Sequence, residues 1–94
     1  MPNVVRGDFE WDSSKATSNR SKHGVTFEEA TTVFADAPID LDEGSGRARL
    51  VTIGFSHRAR LLCVVHEVRD GRYRLISARV ATRGESDRYA KEME

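Results

Sequence analysis

The sequence is poor in several features whose scarcity restricts the classes of protein it could form. One cysteine, Cys63, among 94 residues excludes an internal disulfide. It lies inside the apolar run LLCVV, where a thiol most often fills core space. No apolar run approaches the ~20 residues needed to span a bilayer. The N-terminal residues MPNVVRGDFEWD lack the basic start and apolar core of a signal peptide. We therefore expect a cytoplasmic protein with no membrane partner.

The chain also lacks a net charge, since 15 basic residues balance 15 acidic ones. The two halves nevertheless differ: residues 1–47 carry a net charge of −4, and residues 48–94 carry +4. Nine of the ten basic residues in the second half are arginine, whose planar fork suits phosphate. This pattern indicates either a phosphate-binding surface or an ordinary sheet surface of alternating charge.

Motifs for metals and cofactors are missing. The three histidines are far apart, and no Cys-x-x-Cys or His-x-x-x-His pair is present, so we predict no metal site. The segment EGSGRA has neither Walker nor Rossmann spacing, and no serine lies in a nucleophile elbow, so we expect no cofactor. Two function classes remain for a small domain that bears arginine and histidine: cleavage of RNA phosphodiesters, and a binding module.

The hydrophobic periodicity predicts one α+β domain over residues 1–94. Residues 1–7 are expected to be frayed. An N-terminal strand and two helices would pack on an antiparallel sheet, and a C-terminal helix would follow. The predicted strands are 9–11, 39–42, 49–55, 59–68 and 72–80; the predicted helices run from an Asp12 or Ser13 cap to about His23, from Phe27 to about Phe34, and over 82–94.

The segment KHG, Lys22 to Gly24, ends the first predicted helix. Gly24 can adopt the left-handed conformation of a helix C-cap, and a positive charge is favoured in the last turn. Thr26 and Glu29 then have the spacing of a capping box. Backbone chemistry alone therefore explains the corner, and any reactivity of Lys22 and His23 is a separate hypothesis.

The first helix carries a polar stripe, because Lys15, Asn19 and Lys22 recur at i, i+4 and i+7. Such a stripe is either a solvated face or a ridge that meets phosphate.

The dipeptide Asp70-Gly71 predicts a tight hairpin turn in which Arg69 opposes Arg72. If that register continues without interruption, His66, Ser77 and Arg79 lie on one face of the sheet. A slip of one residue would move side chains to the other face. Arg79 has an alternative partner in an acidic residue of the last helix, such as Glu85.

The string FEWDSSKATSNRSKHGVTFEEA resembles the opening of the BrnT toxin family, whose pattern is roughly F-x-W-D-x-x-K-x-x-x-N-x-x-K-H-G-V-x-F-E-E-A. The later strings TIGFS, LLCVVHEVR and YRLISARVATRGESDRY are also similar to that family, so the resemblance covers residues 9 to about 89. Gly84 departs from it, since many relatives have a basic residue there.

The resemblance implies a toxin of a bacterial type II toxin–antitoxin module with a RelE-like fold. It implies a metal-independent ribonuclease that arrests translation and growth. It further implies a neighbouring BrnA-like antitoxin that neutralises the toxin, and contact with operator DNA only through that antitoxin.

Metal-free RNA cleavage needs groups that move protons and groups that stabilise negative charge, which histidine and the basic side chains supply. We assign catalytic roles to His66, Arg79, Arg83 and Lys22, with His66 as the favoured acid/base. We assign substrate-binding roles to Lys15, His23 and Ser77. Two alternatives stay open: a catalytically weak family member that acts mainly as an antitoxin-binding co-repressor, and a free-standing nucleic-acid-binding domain.

Overall fold

A computed structural model of the chain describes residues 2–35, 37–41 and 49–94. Its elements, in chain order, are β1 (Asn3–Arg6), β2 (Phe9–Asp12), α1 (Ser13–His23), α2 (Phe27–Thr31), a 3₁₀ helix (Thr32–Ala35), β3 (Ile39–Leu41), β4 (Arg49–Phe55), β5 (Leu61–Arg69), β6 (Arg72–Val80) and α3 (Arg83–Glu92). The six strands form one sheet in the order β1-β2-β6-β5-β4-β3. Strands β2 and β6 pair in parallel and the other neighbours pair antiparallel. The predicted α+β class is confirmed, although the sheet is mixed rather than wholly antiparallel.

The first residues differ from the prediction, because Asn3–Arg6 form a strand instead of fraying. Strand β1 pairs with β2, and Gly7, at φ 58°, occupies the turn between them. The sequence of β1, Asn-Val-Val-Arg, does not alternate between apolar and polar residues, so its pattern did not predict a strand. Most of β1 is exposed. The predicted turn EGSGRA and the end of the predicted strand at residue 42 lie outside the described residues.

The helix ends follow local chemistry. Asp12 caps α1 by accepting from the backbone nitrogens of Ser14 and Lys15, and Gly24 ends α1 at φ 66°. Thr26 caps α2, which gives way to the 3₁₀ helix after Thr31 rather than continuing to residue 34. At α3, Thr82 and Glu85 form the complete capping box that their spacing predicts.

The sheet is covered by helices on both faces. On the helix-pair face, the side of α1 and α2, the buried cluster comprises Trp11, Val25, Phe27, Ala30, Val33, Leu62, Val64, Leu75 and Ala78. On the opposite α3 face, the cluster comprises Val51, Ile53, Cys63 and Tyr89. Each fully buried large apolar side chain stabilises the fold by roughly 1.5–3 kcal/mol. The helix-pair face therefore holds the main core, and α3 rests on the thinner layer.

The β5–β6 hairpin changes register at its centre. From Arg69↔Arg72 to His66↔Leu75 the pairing is the predicted one, but Val65 then pairs with Ser77 and Cys63 with Arg79. Ile76 is the additional residue of a β-bulge. His66 consequently shares the helix-pair face with Val64, whereas Ser77 and Arg79 alternate onto the α3 face with Cys63. The prediction that His66, Ser77 and Arg79 share one face was wrong, and the one-residue slip is the cause.

Candidate functional site

A groove of about 240 Å³ lies between α1 and the edge of β6 that extends past its pairing with β2; we name it the basic groove. It is lined by Lys15, Ser18, Asn19, Lys22, His23, Ile76 and Ser77. Four of these were predicted as site residues, namely Lys15, Lys22, His23 and Ser77. The two lysines and His23 are exposed, and Ser77 is half-buried. The structure thus brings two ammonium groups, an imidazole and a hydroxyl to one concave surface.

The groove is held together by Asn19, a residue whose role the sequence reasoning missed. Asn19 is only 5% exposed. Its Nδ2 donates to the Ala78 carbonyl at 2.7 Å and to the Val25 carbonyl at 2.9 Å, and its Oδ1 accepts from the Ala78 nitrogen at 3.0 Å. The amide therefore bonds both backbone groups of Ala78, as a neighbouring strand would. The only sequence signal for this role was the position of an amide side chain between two lysines of the polar stripe on α1.

Arg79 lies two residues beyond Ser77 on β6, on the same face of the sheet. Its guanidinium donates to both carboxylate oxygens of Glu85, at 2.7 and 2.8 Å, which is the alternative partner left open by the sequence. The hydrogen bonds from Arg79 are the main reason that the pKa of Glu85 falls to about 2. A phosphate would bind Arg79 through its remaining N–H donors or by displacing Glu85. Arg83 is exposed at the first position of α3.

His66 lies apart from these residues, in a second pocket on the helix-pair face; we name it the histidine pocket. This pocket has a volume of about 590 Å³, and its lining comprises Asp8, Phe9, Thr31, Phe34, Ala35, Pro38, Asp40, Leu50, Thr52, His66, Val68 and Tyr73. His66 is 2% exposed, and its ring meets Phe34 and Tyr73 edge-on, with centroids 5.0 and 5.6 Å away. The predicted acid/base is therefore buried and separate from the basic groove.

Hydrogen bonds define the tautomer of His66. The Thr52 hydroxyl donates its one proton to Asp40 Oδ1 at 2.7 Å, so its oxygen accepts from His66 Nε2 at 2.8 Å. This assignment leaves the lone pair on Nδ1, which has no hydrogen-bond partner among the described residues. Burial lowers the pKa of His66, and the charge of Asp40 opposes this only in part. The ring is accordingly neutral at pH 7.

Within the described ranges, no group of three or more histidine, cysteine, aspartate or glutamate side chains is placed to hold a metal ion. In that same part of the chain, no helix has the length and apolar character required to cross a membrane.

Comparison with known proteins gives two findings. Residues 11–85 match the model of the family described as the ribonuclease toxin, BrnT, of type II toxin–antitoxin systems. The fold is similar to the 1.1 Å crystal structure of the Brucella abortus ribonuclease toxin BrnT, with a TM-score of 0.64 and 22% sequence identity over 78% of this chain and 94% of that one. A search of curated proteins gives no significant match.

Proposed function

We propose that this chain, which belongs to the BrnT family of ribonuclease toxins of type II toxin–antitoxin systems, is a metal-independent endoribonuclease that arrests translation and growth. The observation that carries the proposal is the basic groove, where Lys15, Lys22, His23 and Ser77 line one surface. We expect it to act in the cytoplasm, without a membrane partner.

RNA contains its own nucleophile, so the protein need not supply one. The 2′-hydroxyl attacks the adjacent phosphorus as it loses its proton, and the bond to the 5′-oxygen breaks as that oxygen gains one. The negative charge that builds on the phosphate between these events needs cationic donors. A histidine can take the first proton and return the second near neutral pH. No step of this scheme requires a metal ion or a cofactor.

The roles in the groove follow from where each side chain lies. Lys15 and Lys22 hold the phosphate and stabilise the charge that develops on it. His23 takes the proton from the 2′-hydroxyl and returns one to the 5′-oxygen, because it is the histidine that lines the groove. Ser77 hydrogen-bonds the ribose or a phosphate oxygen. His66, which the sequence favoured as acid/base, lies on the opposite face of the sheet from Ser77 and Arg79, and we give it a different role below.

Arg79 and Arg83 extend the cationic surface beyond the groove. Arg79 is on the same strand and face as Ser77, and α3 begins at Arg83. Both would stabilise the phosphate that is cleaved or its neighbour. The guanidinium of Arg79 would bind the phosphate while its ion pair with Glu85 also positions α3.

The family indicates which macromolecules the chain would bind. We expect a BrnA-like antitoxin to bind and neutralise the chain, and operator DNA to be contacted only through that antitoxin. The relation of the fold to RelE stays a prediction.

Induced expression of the chain alone, and together with its neighbouring gene, tests the proposed function. Growth arrest with loss of intact RNA, reversed by the neighbour, is expected. The purified chain should cleave RNA equally well in the presence of a strong metal chelator. Normal growth with a folded protein would contradict the nuclease and favour the co-repressor alternative, and cleavage that stops on chelation would contradict metal independence.

A further inference from the structure

The histidine pocket has a chemical character that the proposed cleavage site leaves unused. Among the described residues that line it are two carboxylates, Asp8 and Asp40, several aromatic rings and no lysine or arginine. A phosphate would be repelled there, while a neutral group rich in N–H donors would be favoured. The volume of about 590 Å³ lies within the usual range of small-molecule sites.

One of these carboxylates is fixed in place by buried neighbours. Thr52 is 1% exposed and donates to Asp40 Oδ1, and the same hydroxyl oxygen accepts from His66 Nε2. Asp40 itself is exposed on the edge strand β3. Its carboxylate is thus anchored on one side and accessible on the other. An acceptor that is already ordered loses little freedom when it binds a ligand.

The choice of histidine at residue 66 supports this interpretation. A buried acceptor without a hydrogen bond is unfavourable, and Nδ1 of His66 is such an atom among the described residues. An apolar side chain would fill the same space without that penalty. What histidine adds is the Nε2–H donor, which holds Thr52 and, through it, Asp40. His66 is therefore a positioning residue.

Tyr73 gives the pocket an aromatic surface. Its ring packs against Phe9 and Phe34, with centroids 5.4 and 5.1 Å away, yet 38% of the residue is exposed. A partly exposed ring that is held in place by aromatic neighbours suits stacking with an unpaired nucleobase.

We propose that the histidine pocket binds one unpaired guanine base. The Asp40 carboxylate would accept from guanine N1–H and from the N2 amino group, while the base stacks on Tyr73. Guanine is the base whose Watson–Crick edge presents two adjacent donors to match two oxygens, whereas the other three bases place an acceptor beside a donor. The inference rests on the proposed function in one respect, that the base belongs to the RNA substrate; a free guanine nucleotide offers the same chemistry.

Titration of the full chain with nucleosides tests the pocket without any phosphate or any cleavage. Guanosine should bind about ten-fold more tightly than inosine, which lacks only the N2 amino group. Asp40→Asn should abolish that ratio, and Tyr73→Leu should weaken both nucleosides equally. His66→Phe should lower the ratio while stacking is retained, which a merely structural role would not do. His57→Ala, which changes an exposed histidine outside the pocket lining, is the matched control and should change neither affinity.

Oligonucleotides with guanine or inosine at a single position then identify the source of the base. A cleavage rate about ten-fold lower with inosine assigns the pocket to the RNA substrate. Guanosine selectivity with indifferent cleavage assigns it to a free nucleotide, which also supports the guanine site.

The proposal is overturned if guanosine and inosine bind alike, or if Asp40 is needed only for binding an arginine-bearing peptide of the antitoxin. A chain that selects guanosine but cleaves no RNA would refute the ribonuclease and leave the pocket standing. A chain that cleaves RNA without guanosine selectivity would refute only the pocket.

Discussion

The basic groove and the histidine pocket both use residues of β6, yet they differ in charge, exposure and composition. The groove combines exposed Lys15, Lys22 and His23 with a strand hydroxyl. The described lining of the pocket combines carboxylates and aromatic rings with a histidine that is 2% exposed. The groove is suited to the charged backbone of RNA, and the pocket is suited to an uncharged base. Under our two proposals, this division of tasks would let a chain with no net charge recognise a polyanion.

The strongest test of this division compares the three histidines. His23→Ala should lower the rate of RNA cleavage about 10²–10⁴-fold, because it removes the proton-transferring group from the groove. His66→Ala should have a smaller effect, and His57→Ala should have none. The measurement is single-turnover cleavage of an RNA oligonucleotide by each variant, after circular dichroism shows that it is folded. Inactivity of His66→Ala together with full activity of His23→Ala would exchange the roles of the two regions.

The next test concerns the arginine beyond the groove. Arg79→Ala should abolish growth arrest and lower cleavage about 10²–10³-fold, as expected when one donor to a developing anion is removed. Glu85→Gln is the matched control, because it breaks the same ion pair and keeps the guanidinium. That control should stay active and lose only about 1 kcal/mol of stability. A fully toxic, folded Arg79→Ala protein would contradict the assignment.

The third test removes the residue that assembles the groove. Asn19→Ala should lower the free energy of unfolding by about 3 kcal/mol, because it leaves the backbone groups of Ala78 and the Val25 carbonyl without partners. Ser18→Ala, an exposed neighbour on α1, should cost less than about 0.5 kcal/mol. Urea denaturation measures both. Similar values for the two variants would show that α1 is held by its apolar contacts alone.

The smallest effects are in the pH dependence of stability. The pKa of His66 is lowered from 6.5 by burial, so below pH 6.5 the unfolded chain binds a proton that the folded protein resists. Stability should therefore decrease as pH falls below 6.5 and level off once folded His66 titrates. The carboxyl of Glu85, whose pKa falls from 4.5 to about 2, adds a second decrease between those two values.

Substitutions separate the two pH windows. His66→Gln should remove the first decrease, and Glu85→Gln should reduce the second by about 1 kcal/mol. Part of the second decrease should persist, since Arg60 also lowers the pKa of Glu29. Thermal unfolding at a series of pH values measures both windows. A first decrease that survives in His66→Gln would mean that another group is responsible.

Features set by neighbouring residues were predictable from the sequence. The caps at Asp12, Thr26 and Thr82, the C-cap at Gly24 and the turn at Asp70-Gly71 each depend on a few adjacent residues. The bounds of β4 and β6 were also predicted correctly.

Features set by distant residues were not predictable. The bulge at Ile76 depends on how two strands and the helices above them pack. The residues next to Ile76 carry no sequence signal that predicts a bulge. Strand β1 and the parallel pairing of β2 with β6 join segments with no shared local signal. Lys15, Lys22, His23 and Ser77 were each named as site residues from the sequence, but Ser77 was placed with His66 and Arg79. The grouping of Ser77 with the residues of α1, and the separation of His66 from Arg79, became visible only with the strand register.

The contact between Asn19 and Ala78 also has a consequence in time. The two residues are 59 positions apart, so a ribosome that adds 5–20 residues per second completes Ala78 roughly 3–12 s after Asn19. Until then α1 can pack on β2 but lacks β6, so the two lysines and the histidine on it face no Ser77. A newly made chain therefore passes through an interval in which the basic groove, the proposed cleavage site, does not yet exist. A partner that recognises α1 would have this interval to bind the chain before the chain becomes toxic.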